Sequence, residues 1–570
     1  MDRTRRKRIP VHNILDLIDG DFSDYEDIED SDDDEDLDPQ QQDGLADDSN
    51  SSGEDEDEVP LNKLRPAASN QTTRQTTPQY RWRKKDFVPT DAAYSGDPIE
   101  PPTDIASPLL YFKRFVTTAM LNNVVDNTNL YSVQKNGKSV NTSLKEVEQF
   151  IGMFFHMGLV RMNSVRQYWE NESAYEPVCQ IMSRNRFQSL VYSLHFIDNM
   201  SVSEDEKRQN KVWKLHPWLD AMRENCLAVT PGQHCAVDEM MVPYRGKRSP
   251  IRQYIKGKPH PWGFKIWGRC GVDGLLFDFD VYQGGDGQRS ELGQGADVVL
   301  KLTSTLPSGK SYKVFADNLF TSVPLLIKLQ EHGIYYTGTV RQNRLAGCTL
   351  ADEKSLKKRG RGAYDWKVEE NSNIAAVRWY DNRGVTLLST ETAVHPLGEA
   401  RRWDKKLKQY VTIPMPAIIN NYNNYMGGVD LLDSYLAKYR FLMRSRRWYM
   451  YIFWHSIMIA MVNAWLVYRW DSRAFGASDK EILNRRKFQA IIANSLTQTN
   501  AVRRRGRPSA AGETVECGQI LHKWAKTAPC DDVRKDTYGH WPIPSSIQCE
   551  KCDVRLCLNK ERNCFKQFHM

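Results

Sequence analysis

The sequence predicts a multidomain α/β protein, with a helical segment leading into a strand-rich body and a long apolar helix near its end. Three observations carry this prediction. Apolar residues recur at helical spacing over residues 106–230, with Ser and Pro at the expected helix starts. From residue 231 the pattern changes to short strand-like runs separated by Gly and Pro. Trp448–Tyr468 is then almost wholly apolar. At 570 residues, 40% of them hydrophobic, the chain exceeds what one compact core requires.

Charge divides the chain unevenly. Residues 9–62 hold 22 acidic residues and no Lys or Arg, so the remainder carries +28 although the whole chain carries only +6. A body that basic points to a polyanionic partner, nucleic acid first, with a merely soluble basic surface as the alternative. Six of the eleven cysteines follow residue 516 and five are scattered before it. With no secretory leader in MDRTRRKR, a reduced intracellular compartment is expected, and the late cysteines read as metal ligands rather than disulfides. The Arg3–Arg8 cluster suggests nuclear import.

Taken in order, residues 1–105 are acidic and then rich in Ser, Gln, Thr and Pro, a composition expected to stay disordered. Residues 106–230 form a helical domain. Within it Ser143 and Glu146 make a capping-box pattern, Ser183 caps a helix, and Pro217 opens another that runs to Leu227. Residues 231–334 read as adjacent strands: His234–Val237 ending in Asp238, an alternating Glu239–Arg245, and Ser311–Ala316 ending in Asp317. Residues 335–415 are short strands placed like an insertion before the next segment, 416–475. That segment opens with the polar and aromatic loop residues of NNYNNYM, bends at Gly427-Gly428 and starts a helix with Asp430 and Asp433. The apolar run after it is long enough to span a bilayer. His455, Ser456 and Asn463 interrupt it, however, and a buried core helix is expected, with no membrane partner. Residues 476–515 are a basic linker in which Arg505 and Arg507 sit in RRRGRP. That motif is either an AT-hook-like segment for the minor groove or an ordinary basic linker.

Two features carry chemistry. The first is the set of carboxylates Asp238, Asp317, Asp430 and Asp433. A spacing of three puts the last two on one helix face. Acids in a first helical turn also suit the helix dipole, so the pair alone has a purely structural explanation. Phosphodiester cleavage, however, needs such a set, because two Mg2+ ions on hard carboxylate oxygens activate the attacking oxygen and stabilise the leaving one. The second is the Cys-rich end, residues 516–570. There Cys549-x2-Cys552 is followed by Cys557, Cys564 and His569, a pattern suited to Zn2+, with spare cysteines as the alternative.

AVDEMMVPYRG, YIKGKPHPWGFKIW, FADNLFTSVPLL and YNNYMGGVDLLDSYLAKYR occur in this order, and they resemble the piggyBac transposase family over roughly residues 105–470. The resemblance implies an RNase H-like catalytic core, interrupted by a mainly β insertion domain and preceded by helices for dimerisation and DNA binding. It implies that Asp238, Asp317 and Asp430 hold Mg2+ or Mn2+ as a DDE/D triad, with Asp433 as a nearby fourth acid. It further implies a nuclear enzyme acting as a homodimer on double-stranded terminal inverted repeats and joining 3′-OH ends to TTAA targets. A DNA-binding relative that no longer cuts is the alternative. Arg245, Lys256, Lys258, Lys265 and Arg341 are candidate phosphate contacts, against a solvated face for about half of them. The family's terminal zinc finger carries two Cys-x2-Cys pairs. Here the first is missing, which brings in His540 as a ligand and leaves the zinc count between one and two.

Overall fold

A computed structural model describes residues 80–89, 93–96 and 102–498, apart from 247–248, 256–257, 259, 285–289, 406 and 442–443. It also describes the backbone of six later strand positions. The described part begins with strand β1 (Trp82–Arg83) and continues into helices α1 (Pro108–Phe115), α2 (Thr118–Asn136), α3 (Leu144–Leu159), α4 (Arg184–Ser193) and α5 (His216–Leu227). Local chemistry sets these helix starts. The side chains of Thr117, Ser143 and Ser183 accept from the backbone N–H of Met120, Glu146 and Arg186, satisfying donors that a first turn leaves open. The Glu146 carboxylate does not complete a capping box. It accepts from Thr142 Oγ1 at 2.8 Å and from the Arg186 guanidinium at 2.6 Å, tying α3 to α4.

The strands follow: β2 (His234–Pro243), β3 (Gln253–Tyr254), β4 (Trp262–Gly271), β5 (Leu276–Val281), β6 (Lys313–Ala316) and β7 (Tyr335–Thr339). Helix α6 (Gln294–Thr303) lies between β5 and β6, and α7 (Val323–Glu331) between β6 and β7. β2 and β5 pair antiparallel with β4; β6 pairs parallel with β2, and β7 parallel with β6. This gives the order β5-β4-β2-β6-β7, three antiparallel strands followed by two parallel to the first. The helices α6 and α7 supply the crossovers that parallel pairing requires.

The sheet does not stop there. β8 (Tyr364–Glu369), β9 (Ala375–Tyr380) and β10 (Gly384–Ser389) extend it through antiparallel pairing of β10 with β7. The stretch read as an insertion is therefore continuous with the main sheet, and its first strand, β7, is a parallel member of it. β11 (Gly398–Asp404) and β12 (Gln409–Met415) form a separate two-stranded hairpin.

One expectation for residues 1–105 is overturned for the part described. β1 pairs with β8, Trp82 Nε1 donates to the Ala346 carbonyl at 3.2 Å, and Arg81 N–H donates to Glu369 Oε1 at 3.0 Å. Two aromatics in this polar stretch, Tyr80 and Trp82, find an apolar surface on the sheet to cover. The acidic residues 9–62 lie outside the described residues.

A second correction concerns the segment after β12. Residues read as a loop form helix α8 (Ala417–Tyr425), anchored by the buried Ile418 and Ile419 and started after Pro416. Helices α9 (Gly428–Ala437), α10 (Tyr449–Ala474) and α11 (Arg485–Thr497) follow. Every residue of α10 from Ile452 to Tyr468 is buried. Its aromatics meet the N-terminal helices: Trp454 stacks on Phe154 of α3 at 3.9 Å, and Phe453 meets Trp218 of α5 at 4.8 Å. The apolar run is thus enclosed by protein, and Asn463 is the hydrogen-bonding residue that joins it to β5. The Asn463 side chain accepts from Leu276 N–H at 3.0 Å and donates to Leu276 O at 2.8 Å.

Residues 502–570 cluster as a second unit. Its described backbone is a three-stranded antiparallel sheet of Pro542–Ile543, Gln548–Cys549 and Val554–Arg555.

Candidate active site

The register of β2 and β6 ends at Val237 opposite Ala316. Asp238 and Asp317 are the next residues on these two adjacent parallel strands, whose axes run about 4.8 Å apart. Asp317 follows the end of its strand, as expected from the sequence. Asp238 does not, because β2 continues to Pro243 against β4. What ends at Asp238 is the pairing with β6, and that opens space for both side chains. Each carboxylate is held by nearby backbone: Leu319 N–H donates to Asp317 Oδ1 and Glu239 N–H to Asp238 Oδ1, both at 2.8 Å.

Alternation along β2 puts Ala236 and Asp238 on one face. Ala236 faces α9, since a Cβ on Gly428 would lie 3.4 Å from the Ala236 Cβ and only 2.4 Å from the Gly271 carbonyl oxygen. The glycine pair is therefore not a left-handed bend. Gly427 has φ −74°, and Gly428 lacks a side chain because the helix backbone rests directly on the sheet. This contact sets α9 over the face that carries Asp238, with Asp430 in its first turn and Asp433 one turn further on.

Electrostatics group the same residues. Burial pushes the Asp238 carboxyl up to about 8, helped by the charges of Glu239 and Asp317. Burial also raises Asp433 to about 7, with Asp430 adding repulsion and Lys258 and Arg440 opposing it. Asp317 is raised by burial and by Glu239, against the pull of Arg341 and Lys258. Lys258 completes the picture: burial works against its charge, yet Glu239, Asp238, Asp433 and Asp430 together hold its ammonium above the usual value. Its Nζ lies 3.6 Å from Glu239 Oε1.

Half-buried carboxylates that repel one another, with the exposed Asp430 beside them, supply hard oxygen donors and a local need for positive charge, which is what a divalent cation fits. Among the described residues, however, no three carboxylate, imidazole or thiolate groups stand close enough to enclose one ion. The acids share one electrostatic field without converging on a point.

Two residues of this field were not singled out from the sequence. Glu239 adjoins Asp238 in AVDEMM, and Tyr422 of α8 is a half-buried phenol whose pKa is raised by desolvation and by the charges of Asp317, Asp238 and Asp430. Position next to a singled-out acid was the only signal for Glu239. Tyr422 became visible only once NNYNNY proved helical.

The expected phosphate contacts separate. Arg245 is exposed just past β2. Arg341 is exposed beside the site, its Nε donating to Asn318 Oδ1 at 3.3 Å. Lys258 is turned to the acids. Lys265 lies over the rings of Trp267 and Tyr282, at 4.7 and 5.4 Å, with burial lowering its pKa. Lys256, Arg505 and Arg507 lie outside the described residues, as do Cys552, Cys557, Cys564, His569 and His540. Cys549 is described only by its backbone.

Comparison with known proteins gives a consistent result. A family model described as Transposase IS4 matches residues 107–465. The human PiggyBac transposable element-derived protein 3 is 30% identical over 84% of this chain and 79% of its own length. The human PiggyBac transposable element-derived protein 2 is 29% identical over 92% of this chain and 86% of its own. The fold resembles that of the piggyBac transposase in its synaptic complex with hairpin DNA, with a TM-score of 0.60 and 24% identity over 80% of this chain and 97% of that one.

Proposed function

This chain belongs to the piggyBac transposase family, and from that premise we propose that it is a DDE/D-type DNA transposase, or a protein derived from one that keeps its DNA-binding site. One arrangement carries the proposal: Asp238 and Asp317 occupy matched positions on adjacent parallel strands, on the face over which α9 sets Asp430 and Asp433. The order β5-β4-β2-β6-β7 supports reading this part of the sheet as an RNase H-like core.

In this reading Asp238, Asp317 and Asp430 hold Mg2+ or Mn2+, with Asp433 beside them. The bound ions would activate the attacking oxygen and stabilise the leaving oxygen of a phosphodiester. The chain's own residues prepare the site. The backbone N–H groups of Glu239 and Leu319 fix the two strand carboxylates, and Lys258 offsets part of the acid charge. Arg341, exposed beside Asp317, meets a phosphate of the DNA backbone, and so does Arg245. The finer chemistry proposed is hydrolysis to a 3′-OH, closure of a hairpin end, and joining at TTAA. It proceeds in a nuclear homodimer whose terminal Cys/His segment binds Zn2+ and DNA.

A second reading, a DNA-binding protein that does not cut, is favoured by the likeness to human proteins named as transposable element-derived. Labelled duplexes taken from the DNA flanking the gene distinguish the two. With Mg2+ or Mn2+, the purified chain is expected to nick and hairpin these ends, and Asp238→Ala to lose the activity at least a hundredfold. Equal cleavage by wild type and variant refutes the catalytic assignment. DNA binding without cleavage by either selects the second reading.

A further inference from the structure

The β11–β12 hairpin exposes aromatic residues that its fold does not use. Cross-strand register pairs Trp403 with Tyr410 and Arg401 with Thr412 on one face, and Ala400 with Ile413 and Arg402 with Val411 on the other. The second face is anchored. Ala400 and Ile413 are buried in a small core with Ile418 and Ile419 of α8, and Arg402 Nε donates to Asp381 Oδ2 at 2.8 Å. The first face is open: Trp403 is 49% exposed and Tyr410 58%, with Leu407 in the turn at 61%.

The two rings meet edge to face at 5.2 Å, and the Arg401 guanidinium lies 4.3 Å over the Tyr410 ring. Lys405 and Lys408 add cations at the turn. Among the described residues Arg401, Lys405 and Lys408 make no ion pair, although Glu399 and Asp404 also belong to the ribbon. A rigid base carrying half-exposed rings flanked by cations suits a ligand with both flat apolar faces and repeated negative charge. Stacking on bases and pairing with phosphates answer to that chemistry.

The geometry points to this ribbon as a nucleic-acid contact in which Trp403 and Tyr410 stack on bases freed from pairing, while Arg401, Lys405 and Lys408 pair with the phosphates alongside. Sequence continuity places it: α8, which starts two residues after β12, carries Tyr422 into the field of Asp238, Asp317 and Asp430. The inference rests on the transposase reading above, since strand opening is needed only where DNA is cut or hairpinned.

The full-length chain is titrated with a fluorescently labelled duplex and with the same duplex carrying a short unpaired bubble. Trp403→Ala and Tyr410→Ala are each expected to weaken binding to the bubble about tenfold while changing affinity for intact duplex less than about twofold. Trp403→Phe, which keeps a ring, restores most of the loss. Circular dichroism identical to wild type is expected, because both side chains point away from the core.

Equal affinities of wild type and both alanine variants for the bubble would overturn the inference while leaving the transposase reading intact. A change in oligomeric state with DNA binding untouched would overturn it in favour of a protein interface. Failure of the wild type to bind either DNA would overturn the reading and the inference together.

Discussion

Gly428 lacks a side chain because the Gly271 carbonyl oxygen occupies the space one would need. A Cβ at 2.4 Å from a backbone atom forces a helix or a strand to move, since neither contact is with a flexible side-chain end. Gly428→Ala is expected to destabilise the fold by about 1–3 kcal/mol through overpacking. It should also weaken any metal-dependent activity, because the same contact sets Asp430 and Asp433 over Asp238. A urea midpoint equal to wild type would show that the helix does not rest on the sheet as described. The sequence made the glycine pair conspicuous but suggested the wrong reason for it. A bend and a close approach both favour glycine, and only coordinates separate them. Lys258 is a similar case. In sequence it is one basic residue among several, whereas in the fold it faces four carboxylates.

At the scale of elements, α10 shows how an apolar run is told from a membrane span. Its surface is covered by α1, α3, α5, α11 and the sheet, and its polar interruptions have work inside the protein. Ser456 Oγ accepts from Trp218 Nε1 at 2.8 Å, and Asn463 satisfies both backbone groups of Leu276. Replacing Asn463 with Leu leaves a buried N–H and a buried carbonyl without partners. The expected loss is about 3 kcal/mol, measurable by chemical denaturation with an otherwise folded protein. A variant as stable as wild type would mean that these Leu276 groups are satisfied elsewhere. The run itself was plain in the sequence, and so were the caps Ser143 and Ser183. Helix α8 was not, because polar and aromatic residues such as NNYNNY carry little helical signal until Ile418 and Ile419 are known to be buried.

At the scale of the whole molecule, one core joins parts that the sequence kept separate. Residues of α1, α3 and α5 share it with α10 and α11, and Gln489 Nε2 of α11 donates to Phe155 O of α3 at 3.0 Å. His156 and His455 lie buried in this joint, with neither ring nitrogen hydrogen-bonded. Burial lowers His156 to about 4, and burial with the Arg440 charge lowers His455 to about 3. Both folded values lie below the ordinary 6.5, so these imidazoles bind protons more readily when the chain unfolds. Their stability contribution is complete above 6.5 and is lost as pH falls toward the folded values. By about pH 5 each should cost about 2 kcal/mol relative to neutral pH. The raised carboxyls of Asp238 and Asp433 act in the opposite sense, so the histidine effect is read as a difference: between about pH 7 and pH 5 the change in stability should be about 2 kcal/mol more favourable for His455→Leu than for wild type. An identical pH profile for this variant would remove His455 from the explanation.

The sequence by itself determined what is local or compositional: the charge asymmetry, the helix caps, the apolar run, and the identity and order of Asp238, Asp317, Asp430 and Asp433. The tertiary structure alone decided which of these meet. Asp238 and Asp317 become neighbours only through strand register across 79 residues of chain, and α9 covers them only because Gly428 fits beneath the Gly271 carbonyl. It also decided that Lys258 serves the acids and that the insertion extends the main sheet. Register, burial and charge pairing depend on residues far apart along the chain, and such contacts leave little trace in any single stretch of it.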